Sequence, residues 1–515
     1  MLLDLRFFLP DWEDRVHKEY DFISEKPILK EGNQNNYSYI WDIYGAKDVP
    51  IDGLLISRAN LLTPNGYPNK RGSAFLEDGI RKYYNYPNNF PLMCDCGAFS
   101  YIMKKEPPYD PIETLEFYAK CEFDFGVSVD HLIVPATFDQ KEERYRITLE
   151  NAKIMFDEWN SNTNYKKQFK LIGVVQGWDV KSYCKMTKDI LNIGYDYIAI
   201  GGVARSPNKE IIPIIKGIRS TINKITNRQI NIHVFGVGRE GLFRTYLENG
   251  ITSFDTASYL RSAWLSDKRG YHYDIDYYTP IRVKLKKNSL DEEIILNKLR
   301  AYSKKKKQSE KNINLILKKM KDFEEITEGK KRNEDYERTL KSKCWQNCCC
   351  KICKNIDIEV IIFRGNNRNR RRGFHNIWNF YNKKFIKYLP KISVLYQISD
   401  LRKDLVEAIP EKIWNQIKDM PIEVFVRHNE KVLHISDGIN KIANSRLISQ
   451  LERSRWVFSN IRISHDNYIF FNENDNLKEL IGEKVQEIYK RLTEPEILMK
   501  FEGETNIQSS LEIFY

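Results

Sequence analysis

Short apolar segments alternate with longer amphipathic segments through the first 280 residues, and this alternation constrains the fold more than any other feature. The apolar segments predict seven strands: Gly53–Ser57, Pro91–Asp95, Asp124–Asp130, Leu171–Gly177, Tyr197–Gly202, Ile232–Gly238 and Ile251–Thr256. Helical patterns separate them, as in Pro111–Phe123 and Val180–Gly194. Strands that are apolar throughout are typical of parallel sheets buried on both faces. Seven of them alternating with helices over this length predict an α/β fold, a closed (β/α)8 TIM-type barrel.

Polar residues and glycines fall at the C-terminal ends of these predicted strands. They are Asp95, Asp130, Gln176, Gly201, Gly202, Gly238 and Asp255. An isolated aspartate at such a position is more often a helix cap or a turn residue. Barrel enzymes build their sites at this face, however, and three aspartates with a glutamine and several glycines indicate a pocket for a flat ligand that forms hydrogen bonds.

Paired carboxylates suit chemistry at the anomeric carbon of a sugar. One carboxylate attacks the carbon, while another moves a proton to or from a base. A metal hydrolase would need histidines at strand ends, and of the eight histidines only His131 and His233 lie near them. We therefore favour glycosyl transfer over metal-dependent hydrolysis.

Five of the nine cysteines lie within ten residues, in the segment "CWQNCCCKIC" from Cys344 to Cys353, and a lone histidine follows at His375. No segment approaches the ~18 apolar residues of a membrane span. The N-terminal segment becomes acidic too early for a secretory signal. We therefore predict a cytoplasmic protein without a membrane partner, and in that compartment clustered cysteines bind metal more often than they form disulfides.

The net charge of +12 is concentrated between Ile281 and His375, where 27 Lys and Arg face 13 Asp and Glu. The basic residues include lysine-rich runs at 304–307 and 318–321 and an arginine run of Arg364, Arg368, Arg370, Arg371 and Arg372. For the lysines, a solvated helix face is as good an explanation as a polyanion. We predict that the arginine run contacts nucleic acid, because each neutralised phosphate adds affinity.

Six motifs resemble those of the tRNA-guanine transglycosylase superfamily in order and spacing. They are "DCGAFS" from Asp95, "SVD" ending at Asp130, "GVVQG" from Gly173, "AIGGVA" from Ala199, "FGVG" from Phe235 and "FDTASYLRSAW" from Phe254. The resemblance covers roughly residues 1–376.

The resemblance implies a role for each matching residue. Asp255 matches the nucleophile that bonds to C1′ of the target nucleotide, and Asp95 matches the general acid and base. Asp130 and Gln176 match the groups that read the guanine edge. The glycine pair Gly201–Gly202 includes the family's backbone contact to the base, at Gly202.

The resemblance also identifies a metal site. Cys348, Cys350, Cys353 and His375 look like the family's structural zinc site, a closed Cys3His shell with no open position. Cys349 is spare by this pattern, and Cys344 is an alternative ligand.

Three residues near Asp95 depart from the family pattern: Cys96 replaces serine, Ala98 replaces glycine and Ser100 replaces glutamine. After Asp255 the Pro-Thr-Arg run of the tRNA enzymes is missing, and only Arg261 stands in for its arginines. This difference and the segment Phe7–Phe22 resemble the DpdA-type branch. That branch exchanges guanine in DNA for a 7-deazaguanine base, typically 7-cyano-7-deazaguanine.

We therefore predict a guanine transglycosylase whose partners are DNA and a 7-deazaguanine base. A stacked guanine must be flipped out, which costs a few kcal/mol. We expect Phe99 and Arg261 to contact the substrate, with Phe99 stacking on a base. Two alternatives remain open, a transglycosylase acting on tRNA and a non-catalytic zinc-dependent subunit that binds nucleic acid. Retention of the polar site residues argues against the second.

Composition and motifs predict four segments. These are a catalytic barrel at 1–285, a basic helical segment at 286–343, a zinc-binding subdomain at 344–380 and a C-terminal α/β domain of unknown role at 381–515. The last combines a helical pattern at Asn476–Leu492 with strand patterns at Ile422–His428 and Asn460–Phe471. The sequence identifies neither the oligomeric state nor the target sequence context, and a helper ATPase is kept as a candidate partner.

Overall fold

We analysed a computed structural model of the 515-residue chain. The structure describes residues 5–388, apart from 29–36, 46–47, 64–65, 87–89, 284–289, 305–312, 319 and 321–331, and five strands beyond residue 391. Most of the two lysine-rich runs therefore lies outside the described residues. The chain divides into two compact units, one of residues 5–388 and one that contains residues 389–515.

Eight parallel strands close into a barrel, which confirms the predicted fold. In chain order they are β1 (Arg6–Asp11), β2 (Gly53–Ser57), β3 (Leu92–Asp95), β4 (Phe125–Val127), β5 (Lys170–Val175), β6 (Tyr197–Ile200), β7 (Asn231–Val234) and β8 (Ser253–Asp255). Strands β2–β8 correspond to the seven predicted ones.

Strand β1 was not predicted, and it closes the barrel between β8 and β2. Its Phe8 pairs with Asp255 on one side and with Gly53 on the other. Pro10 lies inside the strand, and a proline argues against a central strand because it has no N–H for the ladder. The pairing that closes the barrel outweighs the unfavourable proline, so residues 6–11 form a strand.

Helices follow the strands, as the pattern predicts. Within the barrel they are Ile40–Tyr44, Lys70–Asp78, Ile80–Tyr84, Pro111–Lys120, Lys141–Ser161, Thr163–Gln168, Val180–Ile193, Asn208–Ile225, Phe243–Glu248 and Ser258–Leu265. Two begin at aspartate caps: Asp110 accepts from two backbone N–H groups of the first turn, and Asp179 accepts from Ser182 N. Short 3-10 turns precede or follow the helices at Arg58–Leu61, Ala98–Tyr101, Pro135–Gln140 and Glu240–Leu242.

Large apolar side chains fill the barrel below its C-terminal mouth. The buried cluster consists of Phe8, Leu55, Met93, Val127, Ile172, Val174, Tyr197 and Ala199. Strands β5 and β6 each contribute two of these residues, separated by two positions, which is the period of side chains on one face of a strand. The next residue of this register on β3 is Asp95, and on β5 it is Gln176, so the same alternation that builds the core aims polar groups into the mouth.

A largely helical segment follows the barrel. It contains the hairpin Tyr271–Tyr273 with Asp276–Tyr278, the paired strands Ile281–Arg282 and Ile362–Phe363, and the helices Leu290–Ser303, Asn333–Ser342, Cys344–Asn347, Lys351–Ile356 and Gly365–Asn379. We call the last of these the His375 helix. A π-helical turn, Phe380–Phe385, continues it.

The His375 helix packs against Ser258–Leu265, the helix that follows β8. Gly373 permits the close approach, because a Cβ there would lie 2.7 Å from Leu260 Cδ1 and 3.0 Å from Leu260 O. Asn376 Nδ2 donates to Tyr259 O at 3.2 Å. These contacts tie the segment after residue 344 to the helix that begins three residues after Asp255.

The second unit contains a five-stranded antiparallel sheet. In spatial order its strands are Ile392–Gln397, Pro421–Val426, Val432–Asp437, Tyr468–Asn472 and Arg462–Ile463. The strands predicted at 422–428 and 460–471 are confirmed in part, and the helix predicted at 476–492 lies outside the described residues. Among the helices that the structure describes, none is long and apolar enough to cross a membrane.

Candidate active site

Strand alternation directs the two central carboxylates into the barrel. Asp95 shares its inward face with Met93, and Asp255 shares its face with Ser253. Each aspartate is the last residue of its strand, so both lie at the C-terminal mouth, the face where barrel enzymes place their chemistry.

Asp255 is 6% exposed and is held by two groups of β7 and its loop. Its Oδ1 accepts a hydrogen bond from Gly236 N at 2.8 Å and lies 3.2 Å from His233 Nε2. Its other oxygen has no hydrogen-bond partner among the described residues. The following helix begins after Ala257 without a side-chain cap, so the interpretation of Asp255 as a helix cap is wrong.

A buried polar chain continues behind Asp255. His233 Nδ1 lies 2.8 Å from Ser253 Oγ, which lies 2.7 Å from the hydroxyl of Tyr197. His233 is fully buried. The sequence did not predict this role for His233, although its place on the inward face of β7 is a signal that could have identified it.

Asp95 sits in surroundings that favour its neutral form. Burial raises the pKa of this carboxyl from 3.8 to about 7, and the nearby carboxylates of Asp255 and Asp130 add to the rise, against a hydrogen bond from Ser57 that lowers it. Its Oδ1 is buried and has no hydrogen-bond partner in the part of the chain that the structure describes. A carboxyl with a pKa near neutrality can both donate and accept a proton at physiological pH.

Asp130 and Gln176 form a buried pair beside these carboxylates. Gln176 Nε2 donates to Asp130 Oδ2 at 2.6 Å, and the thiol of Cys96 donates to Asp130 Oδ1 at 3.0 Å. Burial raises the pKa of Asp130, whereas these two hydrogen bonds lower it. Cys96 thus occupies a position that matters to Asp130, and its hydrogen bond was not foreseen from the sequence.

The glycines after β6 let the backbone pack directly against this pair. A Cβ on Gly201 would lie 2.4 Å from Gln176 Nε2, and Gly202 has a φ of +78° with Ile133 O 2.8 Å from where its Cβ would be. Tyr183 donates to Gly201 O at 2.7 Å, which fixes this backbone. Any larger residue would collide with the polar pair, so glycine is required at both positions.

Phe99 and Arg261, the other predicted substrate contacts, lie at separate points around the barrel. Phe99 is 54% exposed in the turn after β3, and the guanidinium of Arg205 lies 5.8 Å from its ring centre. Arg261 lies over the ring of Trp12, 3.1 Å from its centre, in the segment after β1. Burial lowers the pKa of Arg261, and the nearby carboxylate of Asp14 opposes this.

The predicted metal ligands converge as the sequence suggests. The ligand atoms of Cys348, Cys350, Cys353 and His375 all lie within 4.8 Å of one another. Nδ1 of His375 lies 3.3 Å from the sulfurs of Cys350 and Cys353 and 3.7 Å from that of Cys348. A tetrahedral ion with bonds of about 2.3 Å to sulfur and about 2.0 Å to nitrogen needs separations of this size. The four buried side chains can therefore hold a metal.

The surroundings of the cluster orient its histidine. His375 Nε2 lies 2.5 Å from His272 O, so it donates there and leaves Nδ1 as the ligand atom. The ring stacks on Tyr271 with 4.2 Å between centres. Cys344 is buried and Cys349 is exposed, and neither belongs to the cluster.

Most of the arginine run lies inside the protein, against its predicted role. Arg368 is 1% exposed and forms ion pairs of 2.7 Å with both Glu25 and Glu359. Arg364 pairs at 2.8 Å with Glu25 and with Glu292. The prediction that these two arginines bind phosphate is wrong, because carboxylates already neutralise them inside the protein.

The remaining arginines of the run also contact other groups of the protein. Arg372 is fully buried and donates to the carbonyl groups of Ala263, Val360 and Ile362. Arg371 is 5% exposed, and its guanidinium donates to His17 O at 2.5 Å. Only Arg370 keeps substantial exposure, and it pairs with Asp14 at 3.2 Å. The run therefore holds the His375 helix to the rest of the unit.

Comparison with known proteins assigns the family. Residues 77–362 match the family described as queuine tRNA-ribosyltransferase. The chain belongs to this transglycosylase family. The resemblance derived from the motifs is thereby confirmed, and the protein is a guanine transglycosylase, a pentosyltransferase that acts on nucleic acid.

The family members differ in how much of their length is similar to this chain. A DNA-guanine transglycosylase of Salmonella montevideo is 30% identical over 416 residues, which cover 74% of this chain and 96% of that protein. The tRNA-guanine(15) transglycosylases of Methanobrevibacter smithii and Methanocaldococcus jannaschii are each 27% identical over 36% of this chain and 28% of their own lengths.

Proposed function

We propose that this protein exchanges guanine in DNA for a 7-deazaguanine base, 7-cyano-7-deazaguanine being the leading candidate. The observation that carries the proposal is the pair of inward carboxylates with different environments, Asp255 held by Gly236 N and His233, and Asp95 with a raised pKa. Two carboxyl groups that differ in this way are suited to separate roles as nucleophile and as acid and base.

The exchange takes two displacements. The Asp255 carboxylate attacks C1′ and forms a covalent ester, while the C1′–N9 bond breaks and the departing guanine receives a proton from Asp95. The incoming base then returns a proton to Asp95 and attacks C1′, which releases Asp255. Protons and bonds balance, and two inversions give net retention of configuration.

The pair of Asp130 and Gln176 is suited to reading the edge of the base. The carboxylate of Asp130 can accept hydrogen bonds from the N–H groups of a guanine-type edge, and the amide of Gln176 can both donate and accept them. Gly201 and Gly202 place no side chain between their backbone and Gln176, so the backbone and the amide can contact the same planar ring. These features fit guanine and its 7-deaza analogues equally well, which is a requirement for exchange.

DNA is favoured over tRNA by the extent of similarity. The similarity to the DNA-guanine transglycosylase covers nearly all of that relative, whereas the similarity to the two tRNA enzymes covers about a quarter of each. tRNA remains the second candidate substrate because the family model is described as a tRNA-ribosyltransferase.

We also infer that the Cys3His cluster holds a structural zinc ion. Three thiolates and one imidazole are the ligand set that Zn²⁺ prefers, and four protein ligands leave no position for a substrate. The ion would link the segment around Cys350 to the His375 helix. A helper ATPase stays an untested prediction.

Trapping of the covalent intermediate tests the function. Purified protein is incubated with a guanine-containing DNA duplex or with tRNA, in the presence of 7-cyano-7-deazaguanine, and adducts are resolved on denaturing gels and mapped by mass spectrometry. We expect an adduct with DNA at Asp255, none with Asp255→Asn, and a strongly reduced exchange rate with Asp95→Asn. An adduct at Asp95, or exchange on tRNA alone, would overturn the proposal. Absence of exchange on either nucleic acid would favour the non-catalytic alternative.

A further inference from the structure

The loop after β3 presents two large apolar side chains to solvent at the mouth of the barrel. Phe99 is 54% exposed and Met103 is 86% exposed, and both follow Asp95 by fewer than ten residues. Single exposed apolar residues are common on protein surfaces. Two of them in one loop beside the catalytic carboxylates are less common.

The backbone of this loop is firmly held. Tyr101, between the two apolar residues, is 1% exposed and donates to Asp130 O at 2.8 Å. Arg144 Nη2 donates to Ile102 O at 2.8 Å, and His131 Nε2 lies 3.1 Å from Lys105 O. Anchors on both sides of Met103 reach back to the base-reading segment, so the exposure of Met103 belongs to a fixed loop.

Positive charge surrounds the two apolar side chains. Lys104 and Lys105 are exposed directly after Met103, and Arg205 from the loop after β6 lies over the ring of Phe99. Glu106 and Glu143 are exposed acidic neighbours, and Glu143 already pairs with Arg146 at 2.6 Å. The three cations therefore outnumber the two carboxylates here. An apolar tip between cations is complementary to DNA, in which a stack of bases lies between two rows of phosphates.

We propose that residues 98–105 form a wedge that enters the DNA base stack when the target guanine is extruded. This inference rests on the proposed DNA substrate. Met103 occupies the gap that the guanine leaves, Phe99 packs against the neighbouring base, and Lys104 and Lys105 hold the flanking phosphates. Inserted apolar side chains, Phe and Met among them, commonly offset the cost of unstacking in DNA-bending proteins. Since Tyr101 connects the wedge to Asp130, insertion and base reading would occur at one place.

The test compares substrates that differ only in how firmly the target base is stacked and paired. Exchange is measured for wild type, Met103→Ala and Phe99→Ala on a duplex, on the same duplex with an abasic site opposite the target, and on the single strand. In parallel, a 2-aminopurine placed beside the target reports unstacking on binding, which needs no exchange. Leu265→Ala is the matched control, because Leu265 is 70% exposed at the end of the helix that runs away from the mouth.

We expect Met103→Ala to lose at least tenfold in exchange on the intact duplex, less than threefold on the abasic duplex and single strand, and most of the 2-aminopurine signal. Leu265→Ala should match wild type throughout. Equal losses on all three substrates, or no loss on the duplex, would overturn the wedge. If wild type shows no exchange but a 2-aminopurine signal that depends on Met103, the proposed function fails while the wedge stands. If exchange occurs and the signal does not depend on Met103, the wedge fails alone.

Discussion

Replacement of Asp95 by asparagine should make the protein more stable and much less active. Asparagine has nearly the same size as aspartate but cannot ionise. In the native protein, burial and two neighbouring carboxylates raise the pKa of Asp95 from 3.8 to about 7. Ionisation of this group at neutral pH is therefore a cost that the folded state bears and the unfolded state does not.

The sign and size follow from proton linkage. Because the pKa is raised on folding, the carboxyl contributes a stability that is fully present below about pH 4 and is lost as the pH rises through about 7. The pKa of Asp95 rises by about three on folding, and each step of one in pKa corresponds to about 1.4 kcal/mol. The largest possible effect on the free energy of unfolding is therefore roughly 4 kcal/mol. Asp95 keeps some solvent contact, so we expect a gain of about 1–3 kcal/mol for Asp95→Asn at pH 8.

Urea unfolding followed by tryptophan fluorescence measures this gain between pH 4.5 and pH 8. Asp255→Asn is the matched control, because its carboxylate accepts a hydrogen bond from Gly236 N, and loss of that charge should not stabilise the fold. Loss of the acid and base should lower the exchange rate of Asp95→Asn by about 10²-fold or more.

Two results would refute the reasoning. If Asp95→Asn were no more stable than wild type at pH 8, the carboxyl would not be held with a raised pKa. If the gain were the same at pH 4.5 as at pH 8, it would come from packing instead of from the suppressed ionisation.

Three further predictions concern other parts of the unit. Cys353→Ala should lose the bound zinc, measured by atomic absorption, and unfold more readily, whereas exposed Cys349→Ala should keep it; full zinc in the first variant would contradict the assignment. Arg372→Met should destabilise the unit by about 3–5 kcal/mol in urea unfolding, because three buried carbonyl groups lose their hydrogen-bond donor. The salt dependence of DNA binding should stay unchanged, and a flatter salt dependence with unchanged stability would restore the predicted phosphate contact. His233→Phe should lower kcat about tenfold with KM and zinc content little changed, because Asp255 loses one of two groups that orient it; an unchanged kcat would refute this role.

The fold was largely predictable because its signals are local. A continuous apolar strand followed by an amphipathic helix, repeated seven times, has few solutions other than a parallel barrel. Strand β1 was not predicted, because Pro10 weakens the local pattern. The strand is recognised only by its pairing with Gly53 and Asp255 on the two neighbouring strands.

The site residues were predictable for a similar reason, up to a limit. The period of two along β3 and β8 places Asp95 and Asp255 on the inward face, so position in the sequence is nearly position in space. Their different environments were not predictable. The contact of Asp255 with His233 and the burial that raises the pKa of Asp95 depend on how separate strands come together.

The sequence by itself determined most of the barrel and its polar mouth, because the periodicity of strands and helices acts over short distances along the chain, and the resemblance to the transglycosylase family indicated the four metal ligands. The contacts of the arginine run could not be predicted from the sequence. Net charge along the chain does not reveal which side chains meet, and Glu25 and Glu292 lie far from Arg364 in sequence although each pairs with it in space. Only the tertiary structure decided that four of these five arginines are largely buried, because burial of a charge depends on a partner that folding brings from elsewhere.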